Sequence, residues 1–345
     1  MTRDDDARAA DVRRLLEAAR AVHADRARLA PAIAASTGLT SQGVELGFAS
    51  LETQATDAEL RALVAAAGRA ARVHVVLSAN VFVAAMRAIA LARAAGERVT
   101  VRPSPRDPVL ARALIERAGD AAIELTDERD VAAIEGDEVH VYGTDATIAQ
   151  VRARARPGVV VRGHGAGMGV AVVSERADVD AAADALALDV VAFDQRGCLS
   201  PRVAVVRGSD ARAQAFAAAL HERLASWGVR VPRGTLSGDE RVEAARWRDT
   251  LAFAGRAWSA DEHLVGLAAE RAPLLVPPPG RHVLVVPAST PDAVAAILAP
   301  VARFVVAVGT DDEDAGGWPA HARVSALGRM QRPPLDGPVD RRSAS

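Results

Sequence analysis

The chain has 345 residues, half of them hydrophobic, and a formal net charge of -2. That balance excludes a disordered chain, and Arg dispersed among Asp and Glu gives no electrostatic footprint for nucleic acid. A single cysteine excludes an internal disulfide and a thiolate zinc cage, so no metal is expected. No uncharged apolar run approaches the roughly 18 residues of a membrane span. The charged start, MTRDDDARAADVRR, lacks the apolar core of a secretion signal. The expectation is a cytoplasmic protein with no integral membrane association and no nucleic-acid partner. The Arg-rich end, with Arg341 and Arg342, reads as a solvated tail. All 42 basic residues are arginine, which removes Schiff-base chemistry and a Walker lysine. Asn80 and Tyr142 are the sole residues of their types.

In chain order, residues 7–35 and 57–71 carry Ala, Leu and Val at helical spacing, predicting an α-helical entry. The pattern then changes to short β-branched runs: HVVLS (74–78), RVTVRP (98–103), EVHVYG (138–143) and GVVVRG (158–163). The first three are each followed by a helical stretch of a dozen or so residues, which predicts βαβ units and a parallel sheet. A second alternation begins near Val170. It runs GVAVVS, a helix over 177–188, a loop with Cys198, RVAVVRG, and a helix over 210–227. HVLVVP (282–287) and RFVVAVG (303–309) bracket a helix opened by Ser289, Thr290 and Pro291. LLVPPPGRH reads as a proline-stiffened surface loop and DDEDAGGWP (311–319) as a turn. The expected fold is α/β, with two domains built of parallel-sheet βαβ units.

Cys198 stands in FDQRGCLSPRVAVV, between a helix and a β-run. A lone cysteine can be a buried, inert hydrophobe or a nucleophile, and a loop beside a glycine suits the second use. Asn80, after a strand, reads as a turn or cap residue. Gly143 and Thr144 close a strand and open a helix, as a simple cap or as a helix N-terminus facing a phosphate.

The Cys198 segment resembles the active-site segment of the long-chain acyl-CoA reductases of bacterial bioluminescence, a branch of the aldehyde dehydrogenase superfamily. Three further segments are similar in the same order: VHVVLSANVFVAAMRAIALARAAGERVTVRPSPRDP, VYGTDATI and RGHGAGMG. The likeness runs from about 73 to 208 and more loosely to ALGRMQRPPLDGP near the end. It implies an aldehyde dehydrogenase-like fold with a cofactor domain over 1–163, a catalytic domain over 164–321, and a C-terminal segment over 322–345 serving as an oligomerisation or bridging strand and tail. It implies an acyl-CoA reductase that attacks an acyl-CoA thioester with Cys198, uses Asn80 and the Cys198 N–H as oxyanion donors, and reduces the acyl-enzyme to an aldehyde with NADPH or NADH. Gly143 and Thr144 would face the pyrophosphate. Arg102, where lysine is usual, and Ser104 would face the adenosine ribose, a planar guanidinium favouring NADPH. Asp145 is an awkward neighbour for a phosphate. His164 stands where aldehyde-oxidising relatives carry a water-activating glutamate. It is either a loop residue held by backbone hydrogen bonds or an imidazole titrating near neutrality that moves a proton.

The likeness departs at Phe82, where proline is common, in a shorter N-terminal region, and in lacking an identifiable oligomerisation hairpin. Expected partners are an acyl-CoA or related acyl thioester, with a second copy or an acyl-activating protein as further possibilities. Three alternatives stay open: another activated acyl donor (an acyl phosphate or carrier-protein thioester), a non-catalytic scaffold subunit of an acyl-activating complex, and a Cys/His thioester hydrolase. The last leaves the βαβ cofactor half unexplained.

Overall fold

A computed structural model describes residues 3–79, 81–129, 136–268 and 272–342. It divides into two compact units, one of residues 1–37, 47–166 and 334–345, the other of 38–46 and 167–333. The main boundary falls after residue 166, three positions beyond the expected one. Residues 38–46 go to the second unit, and the 322–345 segment is shared between the two rather than standing apart.

The first unit opens on helices α1 (Asp5–Ala24) and α2 (Arg26–Thr37); α3 (Ser41–Phe48) spans the change of unit, and α4 (Asp57–Ala67) follows. Helix α4 starts where Thr56 accepts from the Glu59 N–H while the Glu59 carboxylate accepts from the Thr56 N–H, a reciprocal cap. Five strands then form one parallel sheet: β1 (Ala70–Val76), β2 (Gly96–Arg102), β3 (Ile123–Leu125), β4 (Glu138–Tyr142) and β5 (Val160–His164). They are linked by α5 (Ala84–Ala95), α6 (Val109–Ala118) and α7 (Asp145–Arg154).

The strand order is β3-β2-β1-β4-β5, so the winding direction reverses between β1 and β4. In an open parallel sheet such a reversal leaves a crevice at the C-terminal strand ends, where ligands bind. Phe82, at the position where proline was expected, is buried edge-to-face against Phe48 at 5.2 Å.

The second unit holds a seven-stranded sheet: β6 (Met168–Val173), β7 (Pro201–Arg207), β8 (Arg256–Ala260), β9 (His263–Leu267), β10 (His282–Ala288), β11 (Val305–Thr310) and β12 (Arg323–Ala326). Their order is β12-β11-β6-β7-β10-β9-β8, parallel except for the β8–β9 pair. Helices α8 (Val179–Val191) and α9 (Asp210–Arg230) bury Leu186, Phe216 and Leu220 with Ala204, Val206 and Val285. The opposite face gathers Trp247 and Leu251 of α10 (Gly238–Ala254) and Val294 of α11 (Pro291–Leu298) with Val203, Val205 and Leu284. Each fully buried Val or Leu contributes about 1.5–3 kcal/mol, and burial on both faces is why these strands read as unbroken β-branched runs.

Two loop expectations need correcting. LLVPPPGRH is not a surface loop: Leu274, Leu275 and Val276 pack on the core and Arg281 is 1% exposed. The end near Arg342 is not a solvated tail either, since its guanidinium pairs with Asp340 and donates to the Ala166 carbonyl at 2.8 Å. Among the described residues, no helix is long and apolar enough to cross a membrane.

Candidate active site

In the first unit the predicted cofactor residues gather at the C-terminal strand ends. Arg102 ends β2 and Ser104 begins the turn after it, where Ser104 bridges Asp107 and its Oγ accepts from the Arg106 N–H at 3.3 Å. The Arg102 guanidinium donates over long distances, 3.5 and 3.4 Å, to the Glu128 and Arg129 carbonyls. Burial and then the neighbouring Arg129 charge lower its pKa, with Glu128 opposing. Asp107 is buried with an unpartnered Oδ1, and desolvation pushes its carboxyl up to about 7.

Gly143 follows the last residue of β4, and its N–H donates to the His164 carbonyl at 3.2 Å. Thr144 is the N-cap of α7, its hydroxyl accepting from the Thr147 N–H. Asp145 turns to accept the Ala166 N–H at 2.9 Å. A side chain at Gly165 would strike that carboxylate, with 2.2 Å between its Cβ and Oδ1, so the glycine in GHGAGMG lets the two segments close.

His164 is the last residue of β5, stacked on Tyr142 at 4.4 Å between ring centroids. Desolvation, reinforced by the nearby His140 and opposed by Asp340, lowers its pKa to about 4. The expected titration near neutrality is therefore corrected: at pH 7 this imidazole is neutral and holds no acidic proton to give. Its neighbour His140 bonds Glu138 at 2.7 Å, and the same carboxylate pairs with Arg162. Asn80 lies outside the described residues.

Cys198 belongs to the second unit, where its half-buried thiol sits in a tight turn. The Ser200 N–H donates to the Gly197 carbonyl at 3.1 Å, with Cys198 and Leu199 at the two central positions, and β7 begins at Pro201. The adjacent strand approaches closely, the Gly169 N–H donating to the Ser200 carbonyl at 2.9 Å. A Cβ on Gly169 would lie 2.2 Å from the Leu199 carbonyl oxygen, so only glycine lets β6 meet this turn. Met330 packs against Gly169 from the ALGRMQRPP segment, which is tied down by the Gly328 and Met330 N–H groups donating to Asp189.

Sequence reasoning missed the polar support behind the turn. Phe193, Asp194 and Gln195 have φ of 55°, 50° and 64°, and Arg281 has φ of 69°. Asp194 accepts from Arg281 Nε at 2.9 Å and from the Gly234 N–H at 2.9 Å. Gln195 donates to the Pro201 and His282 carbonyls, both at 2.7 Å, and accepts from the His282 N–H at 2.8 Å. The DQ pair in the Cys198 segment was a signal; nothing in PGRH announced a buried arginine.

Compared with known proteins, the profile of the family described as acyl-CoA reductase (LuxC) matches residues 52–317. No curated protein sequence matches the chain. Among solved structures, an NAD-dependent benzaldehyde dehydrogenase from Corynebacterium glutamicum is 16% identical. The match covers 89% of this chain and 77% of that one, with a TM-score of 0.67. An NAD-dependent aldehyde dehydrogenase from Sinorhizobium meliloti is 15% identical, with 93% and 75% covered and a TM-score of 0.69. Identities this low speak to the fold, which is that of the aldehyde dehydrogenases as expected, while the profile covers most of the chain. The chain therefore belongs to the acyl-CoA reductase (LuxC) family, oxidoreductases on an aldehyde dehydrogenase fold.

Proposed function

We propose that the protein reduces an acyl-CoA to an aldehyde with NADPH through an acyl-enzyme on Cys198. The observation that carries this reading is the position of the sole thiol, half-buried in a glycine-flanked turn at the head of a central strand. Sγ attacks the thioester carbonyl. The new C–S bond forms as the bond to CoA breaks, and the thiol proton leaves with the CoA thiolate. The Cys198 N–H and the Asn80 carboxamide take the developing oxyanion, the latter as the family resemblance implies.

The residues of the first unit fit a dinucleotide: a sheet reversal at β1/β4, a Thr144-capped helix N-terminus, and an Asp145 carboxylate already occupied by Ala166. Gly143 and Thr144 would hold the pyrophosphate. Arg102 and Ser104 would hold the ribose, and the half-buried guanidinium favours a 2′-phosphate. When bound, the nicotinamide supplies the hydride that reduces the acyl carbon. The solved relatives above are named NAD-dependent, which keeps NADH as the second cofactor to try. The decisive assay is stoichiometry: one aldehyde and one free CoA per NADPH consumed. An acyl phosphate or carrier-protein thioester turning over in place of acyl-CoA would reassign the donor, and turnover of neither would favour the scaffold reading. Assembly with a second copy or with an acyl-activating partner goes with the same reading.

Asn80→Ala is expected to lower kcat by about 10²–10³-fold with little change in KM, because the donor matters most as charge develops. Asn80→Asp is expected to be worse, since it aims a negative charge at the oxyanion. Equal losses in binding and turnover would assign Asn80 to a turn instead.

His164, neutral at pH 7, can accept a proton but offers none, so its part in the reaction is that of a weak base or hydrogen-bonding group. Lacking a carboxylate base there also protects the acyl-enzyme from water until hydride arrives. His164→Ala is expected to slow acylation without raising hydrolysis, and His164→Glu to divert acyl-enzyme to the free acid. The readout is the ratio of aldehyde to acid from one acyl-CoA. Identical rates and ratios in wild type and both variants would remove His164 from the mechanism.

A further inference from the structure

The positive-φ residues other than glycine, among those described, are Phe193, Asp194, Gln195 and Arg281, and they form one cluster. Left-handed backbone at a side-chain-bearing residue is costly, and three such residues in succession persist only where surrounding contacts over-determine them. Here the contacts are explicit. Phe193, Asp194, Gln195 and Arg281 are all 2% exposed or less. Asp194 is fixed by Arg281 and the Gly234 N–H, while Arg281 also donates to the Val231 carbonyl at 2.8 Å.

The Gln195 carboxamide lies across the start of the β7–β10 pair. Pro201 has no N–H to offer that end of the ladder, and Gln195 takes up its carbonyl together with both backbone groups of His282. The bond from Gln195 to Pro201 closes a loop whose ends are six positions apart, and Cys198 is its midpoint.

We propose that Gln195, with the Asp194–Arg281 pair behind it, is a positioning group that holds the Cys198 turn in its reactive setting. This rests on Cys198 being the nucleophile. The strained segment fixes where the turn starts, the carboxamide fixes where it ends, and the thiol is left no freedom to drift between them. None of these three side chains need touch the substrate; they act through the loop.

Gln195→Glu provides a test because the change is isosteric and reversible by protonation. Ionised, Glu would face two carbonyl oxygens; neutral, it would donate to one of them and still accept from the His282 N–H, and burial raises its pKa. Acyl transfer from acyl-CoA to Cys198, followed by intact mass, is expected to be about 100-fold slower than wild type at pH 8. The ratio of variant to wild-type rate is expected to recover at least tenfold by pH 5.5. Asp194, Arg281, Glu262, Arg233 and His282 are the charged and titratable groups around the site in both proteins, so the variant is compared with wild type at each pH. Alkylation by iodoacetamide, which needs no positioned carbonyl and sees a single thiol, is expected to change less than tenfold.

Gln195→Gly removes the strain of φ 64° along with the tether, so it covers the case in which the Glu variant does not fold at pH 8. It is expected to lose acyl transfer to the same degree with KM unchanged. Acylation of folded variants at the wild-type rate at pH 8 would overturn the positioning role. Wild type that takes no acyl group on Cys198 would overturn the underlying reading instead.

Discussion

Cys198→Ala is expected to abolish acyl transfer and aldehyde formation, by about 10⁴-fold or more, while leaving cofactor affinity and thermal stability close to wild type. Removing a covalent nucleophile leaves only the catalysis that binding and oxyanion donors supply, and it is among the largest single losses a mutation produces. The thiol is half-buried in a turn rather than packed in either core cluster of its unit, so its loss opens no large cavity. Steady-state reduction, NADPH titration and a melting curve on the same preparation separate the outcomes. A variant that reduces acyl-CoA at an unchanged rate would dismiss the mechanism, and one that merely unfolds would make Cys198 a core residue.

The largest effect on stability is expected from Arg281→Ala. Arg281 pairs with Asp194 at 2.7 Å with both side chains at most 2% exposed, and Glu262 is a second partner at 3.4 Å. Burying an ion pair gains little over an apolar pair of similar shape, but removing one partner strands the other charge away from water. The single substitution is expected to cost about 3–5 kcal/mol, read as a shifted urea midpoint. Asp194→Leu/Arg281→Met, which removes both charges and keeps the volume, is expected to recover much of that loss. A single variant within 1 kcal/mol of wild type would show that the pair carries little of the fold's stability.

Much of the fold was legible because parallel strands covered on both faces are written as continuous β-branched runs. MGVAVV, RVAVV and HVLVV each announce a strand without needing alternation, whereas VVRGH forms an edge strand that is only partly covered. The β8–β9 hairpin was not read. RAWSA forms an exposed edge strand with little apolar signal, and the α10 helix before it, GDERVEAARWRDTLAFA, carries charges on most of its surface. Proline and glycine before Arg281 give a loop reading, and it is tertiary contacts, with Asp194, Glu262 and the Val231 carbonyl, that draw it inside. The Cys198 segment could be recognised from its residues. Its left-handed run could not, since Phe, Asp and Gln carry no local preference strong enough to predict three positive φ values in succession. The neutrality of His164 depends likewise on Tyr142 and His140 packed around it, which sequence spacing does not convey.

The central claim is a covalent acyl-enzyme that hydride discharges, and mass spectrometry of the intact chain tests it most directly. Mixed with a medium-chain acyl-CoA alone, the protein is expected to gain one acyl group, mapped to the peptide containing Cys198. Addition of NADPH is expected to remove the adduct with release of one aldehyde. Absence of an adduct across acyl-CoA, acyl phosphate and carrier-protein donors, or an adduct that persists in Cys198→Ala, would contradict the account.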